Sequence, residues 1–344
     1  DLVSLGTVCD VVPLVGLNRA FVRQGLKILK KRSNLGLKTL YDLCKTESQP
    51  TANDLAFQLG PRINAGGRVG KSSHGAELLI SDDPQRTYQI ALDLDKFNKE
   101  RKSIELLLSE KVYTEAKKFH NYPVLVLSGK NWHEGIIGIV AAKIKEKYNK
   151  PAILISENED LGKGSARSVL GFDIGTQIIK AVQLGILTNG GGHKMAGGFT
   201  INNKNIDTFR DFLISNFRKS QANSLDTLNL YLDSKIAPSA INEEFYEHVN
   251  CLAPFGSGNR EPKFVIENLQ VIVSNTVGEN HIRSILRGKD GFVFKSFAWN
   301  AINSPLEAVL NNSKKIFDAA GKMKINEWRG KKSIEFVIED ISLH

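Results

Sequence analysis

The segment TNGGGHKMAGGFT, Thr188–Thr200, places five glycines around one histidine and one lysine. A helical pattern precedes this segment, and an apolar residue followed by Thr200 and Ile201 gives a strand pattern at its end. A flexible linker would be rich in serine and glycine and would lack such boundaries. The segment is therefore predicted to be a shaped loop whose backbone can hold a charged group.

Around this segment, strand and helix patterns alternate over residues 122–222. Strand patterns occur at PVLVLSG, PAILIS and AGGFTI, with a strand edge at GKGSARS. Helical patterns occur at EGIIGIVAAKIKEKY, DIGTQIIKAVQL and NIDTFRDFLISNFRKS. Such alternation is typical of α/β or α+β domains. We predict an α/β domain over residues 122–222.

Upstream of this domain, residues 83–121 carry one helical pattern with no breaker after Pro84. Apolar positions recur three, four and seven residues apart, which predicts one long amphipathic helix, or two end to end, that connects two domains. Before it, the apolar run at residues 2–15 predicts a buried strand. The periodicity of residues 16–33 and 36–45 predicts two helices.

Downstream, the chain from residue 225 to residue 344 consists mostly of short strand patterns. Five or six of them are interrupted by one helical stretch near residues 237–250. This arrangement predicts a small β-barrel such as an OB-fold.

Composition limits the class of protein. The 344 residues carry 46 Lys and Arg against 37 Asp and Glu, a formal net charge of +9, which suits a polyanionic partner but also serves solubility. Cys9, Cys44 and Cys251 lie far apart and predict no disulfide. No run approaches the roughly 18 apolar residues of a membrane span, so we expect a cytoplasmic protein. Because the chain opens at Asp1 within an apolar pattern, we expect a preceding N-terminal part that this sequence does not include.

Two neighbouring motifs could hold a phosphate. Ser165 and Arg167 are two residues apart, hence on one face of a strand, where a hydroxyl and a guanidinium can clamp an anion. The glycines around His193 could form a nest of backbone N–H groups, with the imidazole as a further donor. A plain tight turn is the alternative for these glycines.

Basic and polar residues elsewhere give further candidates. The stretch LGPRINAGGRVGKSSHGA, 59–76, offers Arg62 and Arg68 among glycines, either as phosphate contacts or as an exposed basic loop. His133 precedes a helix whose free N–H groups attract an anion, although a histidine beside Trp132 also suits packing.

Three candidates lie nearer the two ends of the chain. Asp10, flanked by apolar residues, is predicted to end a strand as a paired or metal-bound carboxylate, or else to cap a turn before Pro13. Asn259 and Arg260 could contact a phosphate backbone or belong to an interdomain turn. Five aromatic residues of the barrel could stack on bases, although most of them should be core: Phe292, Phe294, Phe297, Trp299 and Trp328.

Seven motifs, in order, resemble the RecJ family of the DHH phosphoesterase superfamily: LGTVCDVVPL, GPRINAGGR, LDKFNKERKSIE, NWHEGIIGIVAAKI, GSARS, GGGHKMAGG and LAPFGSGNREPKF. Seven motifs in one order make the resemblance specific over essentially the whole chain. It implies four parts: the C-terminal tail of a DHH domain (1–82), a connecting helix (83–121), a DHH-associated α/β domain (122–222) and an OB-fold domain (225–344).

The resemblance also implies an activity and roles for residues. Members of the family are single-strand-specific 5′ to 3′ DNA exonucleases of DNA repair and recombination that use two divalent metal ions, Mn2+ or Mg2+. Ser165 and Arg167 match the pocket for the DNA 5′ end, and Asp10 matches a metal ligand. The implied catalytic set is Asp10, His133 and His193, and the implied substrate contacts further include Arg62, Arg68, Gly191, Gly192, Asn259 and Arg260.

One departure from the family limits these expectations. The Asp-rich motif and the Asp-His-His triplet that supply most family metal ligands do not occur in this sequence. We therefore expect this chain to bind single-stranded DNA with a 5′ end but not to turn it over alone. A helicase and a single-strand-binding protein are further expected partners. The alternatives are a non-catalytic single-strand-binding relative and a DHH phosphodiesterase for oligonucleotides or cyclic dinucleotides, although the barrel region argues against the phosphodiesterase.

Overall fold

The structure, a computed structural model, describes residues 1–44, 49–221, 229–328 and 331–343. The chain forms two compact units. The first unit comprises Asp1–Lys30, Gln49–Leu55 and Leu228–His344, and the second comprises Lys31–Ser48 and Ala56–Thr227. The predicted domain boundaries stay a prediction, because residues 222 and 225 lie outside the described part of the chain.

The first unit begins with two packed helices, α1 (Leu2–Cys9) and α2 (Gly16–Leu29). They approach closely because Gly25 has no side chain, and a Cβ there would lie 2.3 Å from the Ser4 hydroxyl. Helix α2 is the helix predicted for residues 16–33.

The strand predicted for residues 2–15 is wrong, because the chain is helical over α1. Asp1 caps this helix by accepting a hydrogen bond from the Leu2 N–H at 2.7 Å. Thr7, a residue with strand preference, donates its hydroxyl to the Val3 carbonyl one turn earlier. A short apolar run fits a buried helix as well as a buried strand, so periodicity alone did not distinguish them.

A single helical turn, α4 (Ala52–Asp54), completes this part of the first unit. Thr51 and Asp54 form a capping box, in which each side chain accepts a hydrogen bond from the backbone of the other. The turn places Ala52 against Leu14 and Val22 in a small core.

The second unit begins with α3 (Leu35–Leu43), the second of the two helices predicted in this region; Lys45, included in that prediction, lies outside the described residues. A π-helical turn (Leu55–Leu59) leads into α5 (Gly60–Val69) and α6 (His74–Ile80). The stretch 59–76 is therefore mostly helical, so the alternative of an exposed basic loop is wrong.

Glycines of that stretch serve helix packing. A Cβ at Gly66 would lie 2.7 Å from the Lys71 carbonyl and 3.2 Å from the Leu94 side chain. A Cβ at Gly75 would lie 2.9 Å from Ile63. Glycine thus allows close approach of protein to protein here, which the sequence pattern could not distinguish from approach of a ligand.

The long helical pattern is one helix, α7 (Pro84–Lys118), of 35 residues. Asp83 caps its first turn, and Lys117 and Lys118 lie in its last turn, where they suit the helix dipole. One face of α7 packs against α3, α5, α6 and α8 (Glu134–Tyr148). A single uninterrupted helix is confirmed.

A five-stranded sheet forms the centre of the second unit. Its strands are β1 (Leu125–Lys130), β2 (Ala152–Asn158), β3 (Leu161–Arg167), β4 (Asn189–His193) and β5 (Ala196–Asn202), in the order β1-β2-β3-β5-β4. Strands β1 and β2 are parallel and joined by α8, whereas the other pairs are antiparallel. The predicted strands and helices are confirmed, with β3 inside the sheet between β2 and β5 and not at its edge.

Apolar layers cover both faces of this sheet. Helix α8 covers one face with Ile136, Val140 and Ile144, which meet Leu125 and Leu154. The other face packs against α9 (Ile174–Gln183) and α10 (Ile206–Gln221). The result is a three-layer α/β/α arrangement, which agrees with the predicted α/β class.

The glycine-rich segment is a β-hairpin of β4 and β5. Gly191 pairs with Gly198 and Gly192 with Gly197 in an antiparallel ladder. None of the hairpin glycines has a left-handed φ. The predicted nest of N–H groups is therefore wrong, because a nest needs alternating right- and left-handed residues whereas these are extended.

The remainder of the first unit is a closed five-stranded barrel. Its strands are β7 (Phe264–Val277), β8 (His281–Arg287), β9 (Val293–Ala298), β10 (Ile316–Trp328) and β11 (Lys331–Leu343). Strand β11 runs parallel to β9, and β10 pairs with β7 to close the barrel. The short β6 (Ser234–Lys235), α11 (Glu243–Asn250) and α12 (Pro305–Leu310) complete this part. The predicted barrel is confirmed.

Two expectations from composition concern cysteines and membranes. Cys9, Cys44 and Cys251 are free thiols in the structure. No helix among the described residues is both long enough and apolar enough to cross a membrane.

The packing of α7 predicts two different outcomes for two of its leucines. Leu94 is fully buried, so Leu94→Ala should lower the free energy of unfolding by about 2–5 kcal/mol. Leu107 is 60% exposed, and Leu107→Ala should change it by no more than about 0.5 kcal/mol. Urea unfolding followed by far-UV circular dichroism measures both, and equal effects would contradict the assigned face of α7.

Candidate nucleic-acid interface

Strand β3 presents Ser165 and Arg167 on one face of the sheet, as predicted. The guanidinium Nη1 of Arg167 donates to the Ser165 hydroxyl at 3.1 Å and to the Ala166 carbonyl at 2.8 Å. Both side chains point toward α8, where a Cβ at Gly138 would lie 2.9 Å from the hydroxyl and 3.0 Å from Arg167 Nη2. Gly138 therefore leaves room for the pair under the helix.

The β4–β5 hairpin extends the same face of the sheet beyond β3. Two rows of cross-strand partners lie on this face. Across the ladders, Ser165 pairs with Gly198 and Gly198 with Gly191. Because cross-strand partners share a face, the surface beside Ser165 is a bare backbone floor about 10 Å wide, two strand spacings. A Cβ at Gly191 would have no neighbour within 4 Å, and one at Gly198 only the Gly164 carbonyl at 3.7 Å.

The second row brings His193 into the same face. Arg167 pairs with Ala196, and Ala196 pairs with His193. The Nδ1 of His193 accepts the Met195 N–H at 3.3 Å, which places the proton of a neutral imidazole on the outward Nε2. The exposed His193 thus offers a hydrogen-bond donor on the side of the sheet that carries Arg167.

The other hairpin glycines have packing reasons. A Cβ at Gly190 would lie 2.7 Å from the Phe199 side chain, one at Gly192 2.3 Å from the Ala196 carbonyl, and one at Gly197 2.4 Å from Ile178. Gly191 and Gly198 remain as the two whose missing side chains no protein contact requires. Glycine in a strand without a packing reason marks close approach by a ligand or another backbone.

His133 caps the N-terminus of α8, in agreement with the predicted helix start. Its Nδ1 accepts the Gly135 N–H at 3.2 Å, so a neutral ring again carries its proton on Nε2. The Ile136 and Ile137 N–H groups donate to the His133 carbonyl, so the positive end of the helix dipole is what favours an anion at this end.

Arg68, at the end of α5, lies against the same helix terminus. Its Nη1 donates to the Gly135 carbonyl at 2.9 Å, and Gly135 is needed because a Cβ there would lie 2.6 Å from the Arg68 carbonyl. Arg68 and Arg167 therefore approach α8 from different elements. Arg68 from the helices and Arg167 from the sheet define a site that we call the arginine pocket, together with Ser165 and Gly138.

The electrostatics of the arginine pocket favour an anion. Burial lowers the pKa of Arg167, and the nearby positive charge of Arg68 lowers it further. Burial likewise lowers the pKa of Arg68. Within the described parts of the chain, neither guanidinium forms an ion pair with a carboxylate. Arg167 is partly buried and Arg68 is exposed, so the two neighbouring cations repel each other, and an anion between them would offset that repulsion.

Arg62, the other predicted arginine, already has partners. Its Nε donates to Asp95 at 2.9 Å and its Nη1 to the Gln58 carbonyl at 2.8 Å. Lys99 pairs with the second oxygen of Asp95. These contacts join α5 to α7, so Arg62 has its own counter-charge and we do not include it in the arginine pocket.

Lys163 is a residue of this face that the sequence analysis missed. It lies two positions before Ser165 on β3, and its Nζ donates to the Thr200 hydroxyl at 2.9 Å. The spacing of two that related Ser165 to Arg167 would have identified Lys163 as well.

The first unit contains Asp10, the predicted metal ligand. It is exposed in a turn at the end of α1, with φ −87° and ψ 8°, so the buried strand end predicted here is wrong, whereas its role as a metal ligand stays a prediction. Among the described residues, no three His, Cys, Asp or Glu side chains lie close enough together to hold a metal ion. One carboxylate does not fit a two-metal centre.

Asn259 and Arg260 follow a loop of the first unit. The amide of Asn259 donates to the Leu252 and Pro254 carbonyls at 3.0 and 2.8 Å, so it holds the loop together. The loop packs on the segment after α1, where the Leu14 N–H donates to Ser257. Arg260 is partly exposed beside it.

One exposed aromatic group lies on the barrel. Trp299 is 52% exposed and contacts His281 and Phe297, with ring centroids 4.7 and 4.6 Å away. Arg283 lies over Phe297 and Lys324 over Trp299. Of the other predicted rings, Phe294 and Phe297 are buried, as expected, whereas Phe292 is 36% exposed. The side chain of Trp328 lies outside the described residues.

Comparison with known proteins follows this geometry. Two family models match, the DHHA1 domain over residues 121–219 and the RecJ OB domain over residues 232–340. The single-stranded-DNA-specific exonuclease RecJ of Haemophilus influenzae is 33% identical over 99% of this chain and 61% of its own length. The protein of the same name from Bacillus subtilis is 29% identical over 100% of this chain and 44% of its own length. The chain therefore spans less than two thirds of either relative.

Solved structures agree with this relationship. RecJ of Thermus thermophilus in complex with Mn2+ matches 98% of this chain and 48% of its own chain, with a TM-score of 0.84 and 26% sequence identity. The Mg2+ complex of the same protein gives a TM-score of 0.81. The α/β domain followed by a β-barrel is thereby confirmed as the fold class. The chain is a homologue of RecJ along nearly its whole length, with a DHHA1 domain followed by a RecJ OB domain.

Proposed function

We propose that this chain provides the DNA-holding surfaces of a single-stranded-DNA-specific exonuclease that works from a 5′ end in DNA repair and recombination. The observation that carries the proposal is the arginine pocket, where the Arg68 and Arg167 guanidinium groups meet a hydroxyl and the first turn of α8 without a carboxylate partner among the described residues. A phosphate group supplies the missing charge and accepts the available hydrogen bonds. The printed names of the curated relatives support single-stranded DNA as the substrate.

In this proposal Arg68, Arg167 and Ser165 bind the terminal phosphate. His133 and His193 donate from Nε2 to oxygens of the next phosphodiester. The backbone floor at Gly191 lets the strand lie against the sheet, and Gly192 supports that floor from the next rung of the hairpin.

Residues of the first unit hold the strand farther along. Asn259 shapes the loop that presents Arg260 to the DNA backbone. Trp299 stacks on a base, because an exposed indole offers a π-face that any base can use.

Hydrolysis in this proposal involves two divalent ions, Mn2+ or Mg2+, which would activate a water and stabilise the charge of the transition state. The printed titles of the Thermus structures name these two ions. Asp10 would contribute one ligand. Because the described residues do not fit a two-metal centre, no catalytic step is assigned to them, and we expect DNA binding without turnover from this chain alone.

Two other functions share part of this geometry. A non-catalytic single-strand-binding relative would use the same pocket and barrel. A phosphodiesterase for oligonucleotides or cyclic dinucleotides would use the pocket but gains nothing from the barrel, and the RecJ OB domain favours a longer strand. A competition experiment distinguishes these two functions: a labelled 30-nucleotide strand is displaced either by unlabelled strand or by cyclic dinucleotide. A cytoplasmic location, a helicase and a single-strand-binding protein as partners are part of the same proposal.

The pocket assignment predicts a change in end preference for Arg167→Ala. Loss of a charged donor should reduce the preference for a 5′-phosphorylated over a 5′-hydroxyl strand by about 1.5–3 kcal/mol. Fluorescence anisotropy without divalent metal measures both dissociation constants. Arg218→Ala removes the same charge from an exposed site on α10 and is the control. A preference that survives Arg167→Ala would overturn the assignment.

The backbone floor of the hairpin predicts that substitutions at two of its glycines have different effects. Gly191→Val should leave the melting temperature nearly unchanged, because valine suits a strand and its Cβ meets nothing, yet it should weaken binding of single-stranded DNA severalfold. Gly197→Ala should instead lower the melting temperature, since its Cβ would collide with Ile178. Unimpaired DNA binding by Gly191→Val would show that no strand lies on the floor.

The barrel surface predicts a stacking contact at Trp299. Trp299→Ala should weaken binding of a 30-nucleotide strand by about 1–3 kcal/mol, the range for loss of one base–aromatic contact. Tyr231, 71% exposed on the same unit, provides the control substitution Tyr231→Ala. Isothermal titration calorimetry measures both, and equal effects of the two would remove Trp299 from the DNA path.

A further inference from the structure

Glu105, on α7, is a nearly buried carboxylate with both oxygens in ion pairs. Its Oε2 lies 2.7 Å from Arg101 Nη1, and its Oε1 lies 2.5 Å from Lys143 Nζ on α8. Only 8% of the residue is exposed. The contacts fix two cations of different helices on a single carboxylate.

Arg101 is held on its other side as well. Its Nε and Nη2 both donate to the Asn98 side-chain oxygen, at 3.2 and 3.0 Å. Asn98 is 2% exposed. The direction of the Arg101 guanidinium is thus fixed by Glu105 and Asn98, both one turn away on the same helix.

This cluster lies next to the arginine pocket, because Val69, which follows Arg68, and Ile104, which precedes Glu105, pack against the same apolar core. Burial lowers the pKa of Arg68 most, the charge of Arg101 lowers it further, and the charge of Glu105 opposes both. Arg101 therefore lies near the pocket arginines, and Lys143 lies on α8, the helix that both of them contact. The carboxylate among them pairs with Arg101 and Lys143, and within the described residues it leaves the two pocket arginines without a carboxylate.

We propose that Glu105 is a positioning residue: it holds Arg101 and Lys143 out of the arginine pocket and leaves a pocket of two cations, matched to a doubly charged terminal phosphate. This inference rests on the proposed function of the pocket. A terminal phosphate carries about two negative charges at pH 7. A phosphodiester within the strand carries one. If Arg101 and Lys143 lost their ion pairs with Glu105, their uncompensated positive charge near the pocket would attract any phosphate. The same charge would repel Arg68 from its present position.

Stability alone does not account for this arrangement. A buried ion pair is often no better than apolar side chains of equal volume, because both charges must leave water. The surrounding contacts of α7 with α8 are apolar, through Leu108 and Val112. A charged cluster beside the pocket is therefore explained by what it does to the pocket.

The test uses Glu105→Gln, which removes the charge and keeps the shape. Dissociation constants of matched 5′-phosphorylated and 5′-hydroxyl 12-nucleotide strands are measured by anisotropy at fixed salt without divalent metal. We expect a preference of at least tenfold for the 5′-phosphate in the unaltered chain and less than threefold in Glu105→Gln. Affinity for the 5′-hydroxyl strand should stay the same or rise. Glu115→Gln, which breaks the exposed pair with Lys118 on the same helix, should keep the full preference.

The outcomes separate this inference from the proposed function. If the unaltered chain prefers the phosphate and Glu105→Gln does so equally, Glu105 has no positioning role and the pocket stands. If the unaltered chain shows no preference, the pocket assignment fails, and this inference fails with it. Equal weakening of both strands, with a lower melting temperature, would indicate a structural role only and would overturn the inference.

A second variant covers the case in which Glu105→Gln does not fold. Glu105→Asp keeps the charge but is one methylene too short to reach both Arg101 and Lys143. We expect its preference for the 5′-phosphate to be less than half that of the unaltered chain. An unchanged preference would overturn the inference.

Discussion

Two guanidinium groups of like charge meet beside the N-terminus of α8, and the second unit is built to hold them there. Arg68 extends from α5 and Arg167 from β3, and within the described residues neither has a carboxylate partner. Their repulsion has to be offset by the packing of the elements that carry them. Gly135 and Gly138 allow that packing, because any side chain at either position would occupy the space of an arginine.

The hairpin beside the arginine pocket also has few side chains on its open face. Three of its glycines, at positions 190, 192 and 197, let β4 and β5 pack against α9 and each other, whereas Gly191 and Gly198 keep the open face low. In the proposed function, a DNA strand that reaches the pocket passes over this floor. The uncovered backbone of the hairpin thus leads to the two arginines, which lie at the end of the floor.

Much of this was predictable from local patterns. Spacing of two placed Ser165 with Arg167, periodicity gave α7 as one helix or two end to end, and the start of α8 at His133 followed from the strand before it. The predictions that were wrong concern alternatives that the sequence pattern does not distinguish. The apolar run at residues 2–15 fits helix and strand alike, and the glycines of residues 59–76 serve contacts between helices that only the packed chain reveals. Arg62 has the same local sequence features as Arg68, and only Asp95, 33 residues away, distinguishes them.

Helix α7 carries three separate contacts on one continuous helix. Asp95 holds Arg62 near its first third, Glu105 holds Arg101 and Lys143 at its middle, and Val112 packs under β1 toward its end. An α-helix turns about 100° per residue, so the angular relation between these three stations depends on the number of residues between them. Single-residue insertions or deletions in this helix would turn one station away from its partner. Descendants of this sequence can therefore vary α7 in composition but lengthen it between the stations only by steps of about seven residues, which return each side chain to its face.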